Sequence, residues 1–320
     1  MHGRLLGLIS LCVIAAGCEQ TFAPKAPYED RPVVYAILSA QTDTQYVRLY
    51  STYNPEGFDP YTSKVDKAIT DASVTIRNED TAIQYRDTTV ERYNKARYRD
   101  DIRAYIVYSL NIKPGSRYDL EIDSRSFGKI TANLLVPFPG RLTVTNAYVF
   151  RGLGQKEEDI YVVAWIRYAT AGFMVRYYLD FDILEAGQWV SRRIEVPSGV
   201  VVVDNSKRIF SYPQLQRRKT GTENLLRESG EGVSLSRKAF ELTVADLYTR
   251  YSTFAVRVRG LCFVLTQVEP NLCSYYMVSN SFQDPNTVRM DMPNWTNING
   301  GVGVFGAVVE DSLRIDLGLE

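Results

Sequence analysis

Asp180 and Asp182 stand two residues apart. On an extended strand that spacing sends both carboxylates to one face, where they could hold a calcium ion or act as acid and base across a glycosidic bond. No further ligands follow at a recognisable spacing, and outward charge on a strand is the commoner role. Glu157-Glu158-Asp159 and Asp100-Asp101 are the other carboxylate groups. The only histidine, His2, lies in an N-terminal segment that reads as removable, so the rest of the chain has no imidazole. That excludes Ser-His-Asp and Cys-His catalysis and almost every familiar zinc or non-haem iron site. The expectation is therefore a protein that is not an enzyme and carries no cofactor or metal. Gly300-Gly301-Val302-Gly303 lacks the Lys-Ser/Thr of a phosphate loop. It reads instead as a bulge or tight turn before a final strand, Val302 to Val308, packed beside another backbone. Tyrosine is the most unusual usage, 22 residues against 3 Trp and 13 Phe, and its ring with a polar tip suits sugar or protein recognition as well as strand formation. In the Pro- and Gly-rich segment from Tyr53 to Tyr61, the residues Tyr53, Phe58 and Tyr61 are candidate contacts for a glycan or peptide ligand.

The 37 basic and 37 acidic residues cancel, which removes the electrostatic argument for a nucleic-acid partner. Four cysteines carry the remaining chemistry. Leu5 to Ile14 is a short apolar run after Arg4, too brief for a membrane span of ~20 residues. Ala15-Ala16-Gly17-Cys18 follows at once. The pattern resembles the signal peptide and lipobox of bacterial lipoproteins. It implies cleavage of residues 1–17 and acylation of Cys18 with diacylglycerol and a palmitate-type chain, a stable membrane anchor at ~0.8 kcal/mol per buried methylene. Residues 18–31, with two prolines and mixed charge, read as a tether. Glu19 is not the aspartate that favours inner-membrane retention, so the outer membrane is expected, with its periplasmic and cell-surface faces both open. Cys262 and Cys273 remain. An even pair in an oxidising compartment reads as a candidate disulfide, closing a loop of about twelve residues and worth ~3 kcal/mol; the alternative is two buried free thiols.

The elements that must position these residues are mostly strands. Val33 to Leu38 is a β-rich run, and Tyr46 to Tyr50, Ala72 to Arg77 and Tyr118 to Ile122 alternate between two faces. With the turn at Lys113-Pro114-Gly115-Ser116, this predicts an Ig-like β-sandwich over 32–136. Val136-Pro137-Phe138-Pro139-Gly140 is a boundary, because prolines cannot continue a central strand. A second antiparallel, sandwich-like domain is expected over 140–320, with Tyr161 to Tyr168, Tyr178 to Ile183 and Gln188 to Val196 as a meander. One or two short helices are expected, the better at Pro270 to Phe282 and a turn or two within Val244 to Tyr251. Residues 204–231, carrying Arg217-Arg218-Lys219, read as a long basic loop.

Asn297, Gly301, Gly303, Phe305 and Gly306 form an N-x-x-x-G-x-G-x-F-G segment. With the lipobox, the early strand pair and a Tyr-rich helical stretch at Leu247 to Tyr251 or at Ser274-Tyr275-Tyr276, it is similar to the closing segment of a Bacteroidetes family of outer-membrane lipoproteins of unknown function. Members are often encoded beside SusC-like TonB-dependent receptors. The resemblance implies a receptor accessory that captures ligand or docks onto the receptor. The alternatives are a stand-alone glycan- or protein-binding surface lipoprotein, an adhesin or assembly subunit, and last a carboxylate-based hydrolase. The family has no established catalytic residues to carry over. The lipobox reading is checked by Cys18→Ala, which should move the protein from the membrane to the soluble fraction; equal membrane retention would refute it.

Overall fold

The computed structural model describes residues 28–317 except 55–63, 80, 97, 153, 155–156, 204–206, 220–227 and 281–294. The signal peptide, Cys18, most of the tether, Phe58 and Tyr61 lie outside the described residues. The fold is mainly β, with several antiparallel sheets in a sandwich-like arrangement.

Strand β1 (Pro32–Ser39) buries Val34, Ala36 and Leu38 completely, and β2 (Gln45–Ser51) buries Val47 and Leu49 against the same core. Facing them is a four-stranded sheet of β3 (Ala72–Arg77), β4 (Ala82–Gln84), β7 (Arg117–Ser124) and β8 (Gly128–Leu135), in the order β4-β3-β7-β8. The expected alternation holds: Val74, Ile76, Tyr118, Leu120 and Ile122 all point into the first core. Strands β5 (Arg86–Val90) and β6 (Ile102–Val107) extend the sheet of β1 and β2 to its edge.

After the Pro137–Pro139 boundary, β9 (Arg141–Val144), β10 (Ile160–Ile166) and β16 (Ser229–Leu235) form a three-stranded sheet. Strand β10 therefore does not share a meander with β11 (Gly172–Glu185) and β12 (Gln188–Val196), which pair with each other as a hairpin. Between β10 and β11 the chain changes layers through Ala169, buried at a positive φ of 61°. Helix α1 (Arg237–Arg250) begins at Ser236, whose side chain accepts from the Ala239 N–H, and runs 14 residues, longer than expected. Its buried stripe, Ala239, Thr243 and Leu247, is too sparse to stand out in sequence. The stretch expected as a loop, 204–231, holds β14 (Lys207–Ser211), which pairs with β13 (Gly199–Val203) just ahead of it, and a short strand, β15 (Gln216–Arg217), on β11. Strand β17 (Val256–Val268) leads into helix α2 (Pro270–Asn280), where Pro270 takes the first-turn position that tolerates a missing N–H.

The last strand, β18 (Val302–Asp316), joins the two halves. It pairs in parallel with β1 and antiparallel with β17, giving one large sheet in the order β12-β11-β17-β18-β1-β2-β6-β5. One face of β18 serves both cores. Phe305, Ala307 and Val309 lie in the first, while Leu313 and Ile315 pack against the second beside Phe263 and Leu265. The blocks expected at 32–136 and 140–320 thus share a sheet. Residues 302–307 have β1 on one side, whereas β17 reaches only Val308 on the other. Asn297 fills part of that gap: its amide donates to the Phe305 carbonyl at 2.7 Å and accepts from the Phe305 N–H at 3.0 Å. Gly303 sits at a φ of 110°, and a Cβ there would stand 2.0 Å from the Val34 carbonyl oxygen. At Gly306 a Cβ would meet Leu272 of α2 at 2.6 Å. The glycines thus do what their spacing predicts, admitting a second backbone.

The candidate disulfide is corrected, because Cys262 and Cys273 are both buried and both free. Cys262 lies opposite Tyr178 on β11, whereas Cys273 on α2 sits against Gly172, the partner of Val268. Six strand positions at ~3.3 Å each separate those places by ~20 Å, and a bridge needs Cα atoms within ~7 Å.

The close approach at Gly303 makes a direct prediction. Gly303→Ala should lower the urea midpoint by an amount equivalent to ~3 kcal/mol or more. Gly232→Ala, at a site with open space around it, should change it little. Equal midpoints for the two variants would refute the packing argument.

Candidate functional site

The face of β1 and β2 turned away from the first core carries Val33 and Tyr35 on one strand, Arg48 and Tyr50 on the other. Val33 pairs with Tyr50 and Tyr35 with Arg48. Strand periodicity forces this, since every inward Val or Leu leaves its neighbours outward. Helix α2 lies across this face and packs on β18 through Leu272 and Cys273, with Tyr275 and Tyr276 beside Tyr35. The Tyr35 and Tyr276 hydroxyls are 3.1 Å apart, and the rings of Tyr35, Tyr275 and Tyr276 meet edge to face at about 6 Å. Burial raises the pKa of Tyr35, Tyr50 and Tyr275, so these phenols stay protonated at neutral pH and act as hydrogen-bonding groups.

Next to this cluster, Val33, Arg48, Tyr50, Tyr53, Val65 and Tyr98 line a cavity of about 340 Å³, with Thr52, Asp66 and Lys67 at its polar side. Asp66 Oδ2 accepts from two guanidinium groups, Arg48 Nη2 at 2.7 Å and Arg92 Nη2 at 2.6 Å. Each guanidinium also lies over a ring, Arg48 on Tyr50 at 5.1 Å and Arg92 on Tyr98 at 5.0 Å. Such contacts fix the planes of the rings. Tyr53 is half-buried in the wall, where its sequence setting places it. Sequence reasoning missed Arg48, Asp66 and Tyr98. The alternation of β2 is a signal for Arg48 and Tyr50, but nothing local marks Tyr98 in its polar stretch.

The carboxylates first singled out are fully engaged. Asp180 accepts two bonds from Arg193, at 2.6 and 3.0 Å. Asp182 accepts from Arg257 at 2.9 Å and Ser191 at 2.9 Å, with Arg259 at 3.1 Å, and these partners hold its carboxyl below the usual range. Glu158 accepts from Asn146 and Tyr148, Asp159 accepts from Ser234 and from Arg237 N–H at the start of α1, and Asp101 pairs with Lys95. Among the described residues no three of these types converge as metal ligands. In the basic triplet Arg217 and Lys219 are exposed, but the residue between them is not. Arg218 is buried and donates to Ser229 Oγ and the Arg167 carbonyl beside buried Glu231. What that region does expose is the hairpin of β13 and β14, which among the described residues pairs with no third strand and presents Val201, Ile209, Phe210 and Tyr212 to solvent.

Residues 19–166 match a sequence family described as a domain of unknown function, DUF4249. This supports the coarser part of the resemblance seen in sequence, that the chain contains a domain of unknown function. A comparison with curated proteins finds no significant match. Among solved structures, the C-terminal globular domain of oligosaccharyltransferase from Pyrococcus abyssi is similar over 74% of this chain and 51% of that chain, at 8% identity and a TM-score of 0.16. This chain spans about half the length of that structure, and so loose a superposition carries no argument.

A second cavity, of about 270 Å³, is bordered by Arg117, Asn133, Tyr168, Glu269 and Asn271. Glu269 is only 2% exposed and accepts from the Leu272 N–H at 3.0 Å as α2 begins. Buried polar neighbours precede it, Thr170 donating to Gln267 and Gln267 donating to the Phe138 carbonyl. Burial, only partly offset by bonds from Asn271 and Leu272, pushes the Glu269 pKa from 4.5 up to about 7. The folded state therefore holds this proton more tightly than the unfolded chain. Its contribution to stability is full below pH 4.5 and is lost as pH rises through about 7, a change of order 3 kcal/mol. Glu269→Gln should flatten urea-derived stability over that window and be the more stable form at pH 8. Parallel pH profiles for the two proteins would show that burying the carboxylate costs nothing.

Proposed function

We propose that the chain is a non-catalytic binding protein, anchored to the outer membrane through lipidated Cys18, that captures a ligand for a SusC-like TonB-dependent receptor. The cavity walled by Tyr50, Tyr53 and Tyr98 carries this reading, being concave, ring-lined and edged by a few fixed polar groups, the usual make-up of a small-ligand site. The place of the tether supports it. Tyr28 bonds to Thr52, and Asp30 stands 3.7 Å from Lys67, so the chain leaves the fold at the cavity rim. The ten residues from Cys18 to Tyr28 span at most ~35 Å when fully extended. A lipid on Cys18 would keep the cavity within that reach of the bilayer, where a receptor's mouth lies. The matched family also begins at residue 19, immediately after Cys18.

The docking half of the proposal draws on the β13–β14 hairpin. Exposed Val201, Ile209 and Phe210, with basic Lys207 and Arg208 beside them, fit an acidic-rimmed apolar surface on a partner protein. A second reading, a stand-alone adhesin or glycan-binding surface lipoprotein, would use the same cavity without a receptor. A carboxylate-based hydrolase has less support, since Asp180 and Asp182 are bonded to arginines.

The test is affinity purification of the tagged lipoprotein from its native envelope in mild detergent, with surface proteolysis of intact cells. Recovery of a TonB-dependent receptor, lost in the Val201→Asp/Phe210→Asp variant, is the expected result. Purification of the lipoprotein alone would overturn the accessory role in favour of the stand-alone reading.

A further inference from the structure

Among the described residues, charge around the first cavity does not balance. Arg48 and Arg92 share one carboxylate, Asp66, while Lys67 has Asp30, so the described groups leave one positive charge in surplus. The surplus belongs at Arg48. The Arg92 side chain is 10% exposed, donates through Nε to the Asp100 carbonyl and holds Asp66 at 2.6 Å, whereas the Arg48 side chain is 34% exposed and lines the cavity. Of its five N–H donors, one is spent on Asp66, and the others meet no acceptor among the described residues. A planar guanidinium with free donors matches a carboxylate in bidentate fashion.

From this we infer that the cavity takes an acidic saccharide, a sugar ring carrying a carboxylate that Arg48 receives while the ring stacks on the tyrosine wall. Strand pairing argues against an extended peptide. A peptide read by strand addition needs a free sheet edge. Here β1 is flanked by β18 and β2, and β2 by β1 and the bridge from Tyr50 to Ala68, so the floor of the cavity has no open edge. Ring faces with polar tips suit a sugar's apolar C–H face and its hydroxyls. The inference rests on the cavity being the ligand site and goes beyond that by fixing the ligand's charge and class.

The test is calorimetric titration of the detergent-solubilised lipoprotein with a galacturonic acid trisaccharide, the matched neutral galactose trisaccharide, and a tripeptide with a free C-terminus. The acidic sugar should bind roughly 10- to 100-fold more tightly than the neutral one. High salt should narrow the difference, and Arg48→Gln should abolish it. Arg48→Lys keeps the charge but loses the fork and should retain only part of the preference, which keeps the test decisive if Arg48→Gln folds poorly. Arg259→Gln, which removes an arginine paired with Asp182 on another part of the sheet, should leave binding unchanged. Equal affinity for the two sugars would overturn the acidic preference while leaving the cavity as the ligand site. Binding of the tripeptide alone would overturn the saccharide class, and binding of none of the three would overturn both this inference and the cavity as the ligand site.

Discussion

The parallel contact between Val34 and Gly303 is the constraint on which the remaining architecture depends. It brings two backbones together where a side chain would collide with a carbonyl oxygen, and so sets the register of β18 against β1. Once that register is set, the inward face of β18 delivers Phe305 and Ala307 to one core and Leu313 and Ile315 to the other. Asn297 bonds both backbone groups of Phe305 on the side β17 does not reach, so strand groups there need no third strand. The short spacing of Asn, Gly, Phe and Gly is in this chain a geometric device and not a chemical one.

The two faces of the large sheet have different work. Its inner face is mostly apolar, with Gln45 and Gln267 buried among the aliphatic and aromatic side chains, and packs against two smaller sheets. The outer face is held by arginine: Arg193 lies over Tyr178 while bonding Asp180, and Arg257 lies over Trp189 while bonding Asp182. Arg48 over Tyr50 repeats the arrangement, but there the carboxylate is shared and the surface turns concave. Helix α2 closes the middle of this face, and Glu269 caps its first turn while its own N–H donates to the Ala307 carbonyl of β18. The stacked guanidinium of Arg193 is thus paired with a carboxylate of its own at one end of the sheet, and that of Arg48 shares its carboxylate at the other.

Much of this was legible residue by residue. Alternation in Tyr46 to Tyr50, Ala72 to Arg77 and Tyr118 to Ile122 gave strands with the right faces inward, and Gly300 to Gly306 gave a strand beside another backbone. Pro and Gly place Tyr53 in a loop, and there it lines the first cavity. Less legible was whatever depends on distance in sequence. The partnership of β1 with β18 spans nearly the whole chain, and no local pattern states it. Strand β10 looked like a neighbour of β11 because sequential strands usually pair, yet the buried turn at Ala169 sends it to the other layer. The cysteine pair was misjudged for a related reason, since closeness in sequence across a strand and a helix turn does not bring two thiols together. The alternation of β2 puts Arg48 on the outward face, but nothing local shows that it shares Asp66 with Arg92.

The pairing of β1 with β18 also dictates an order of events during synthesis. The first sandwich cannot be completed until residues near 302–309 exist, so a nascent chain of even 280 residues exposes the flank of β1 that β18 will occupy. Contacts of such sequence separation close late and slowly, because a long loop must be ordered before any reward is collected. The half made first stays incomplete, and the final strand acts as the latch that commits both halves to the native state together.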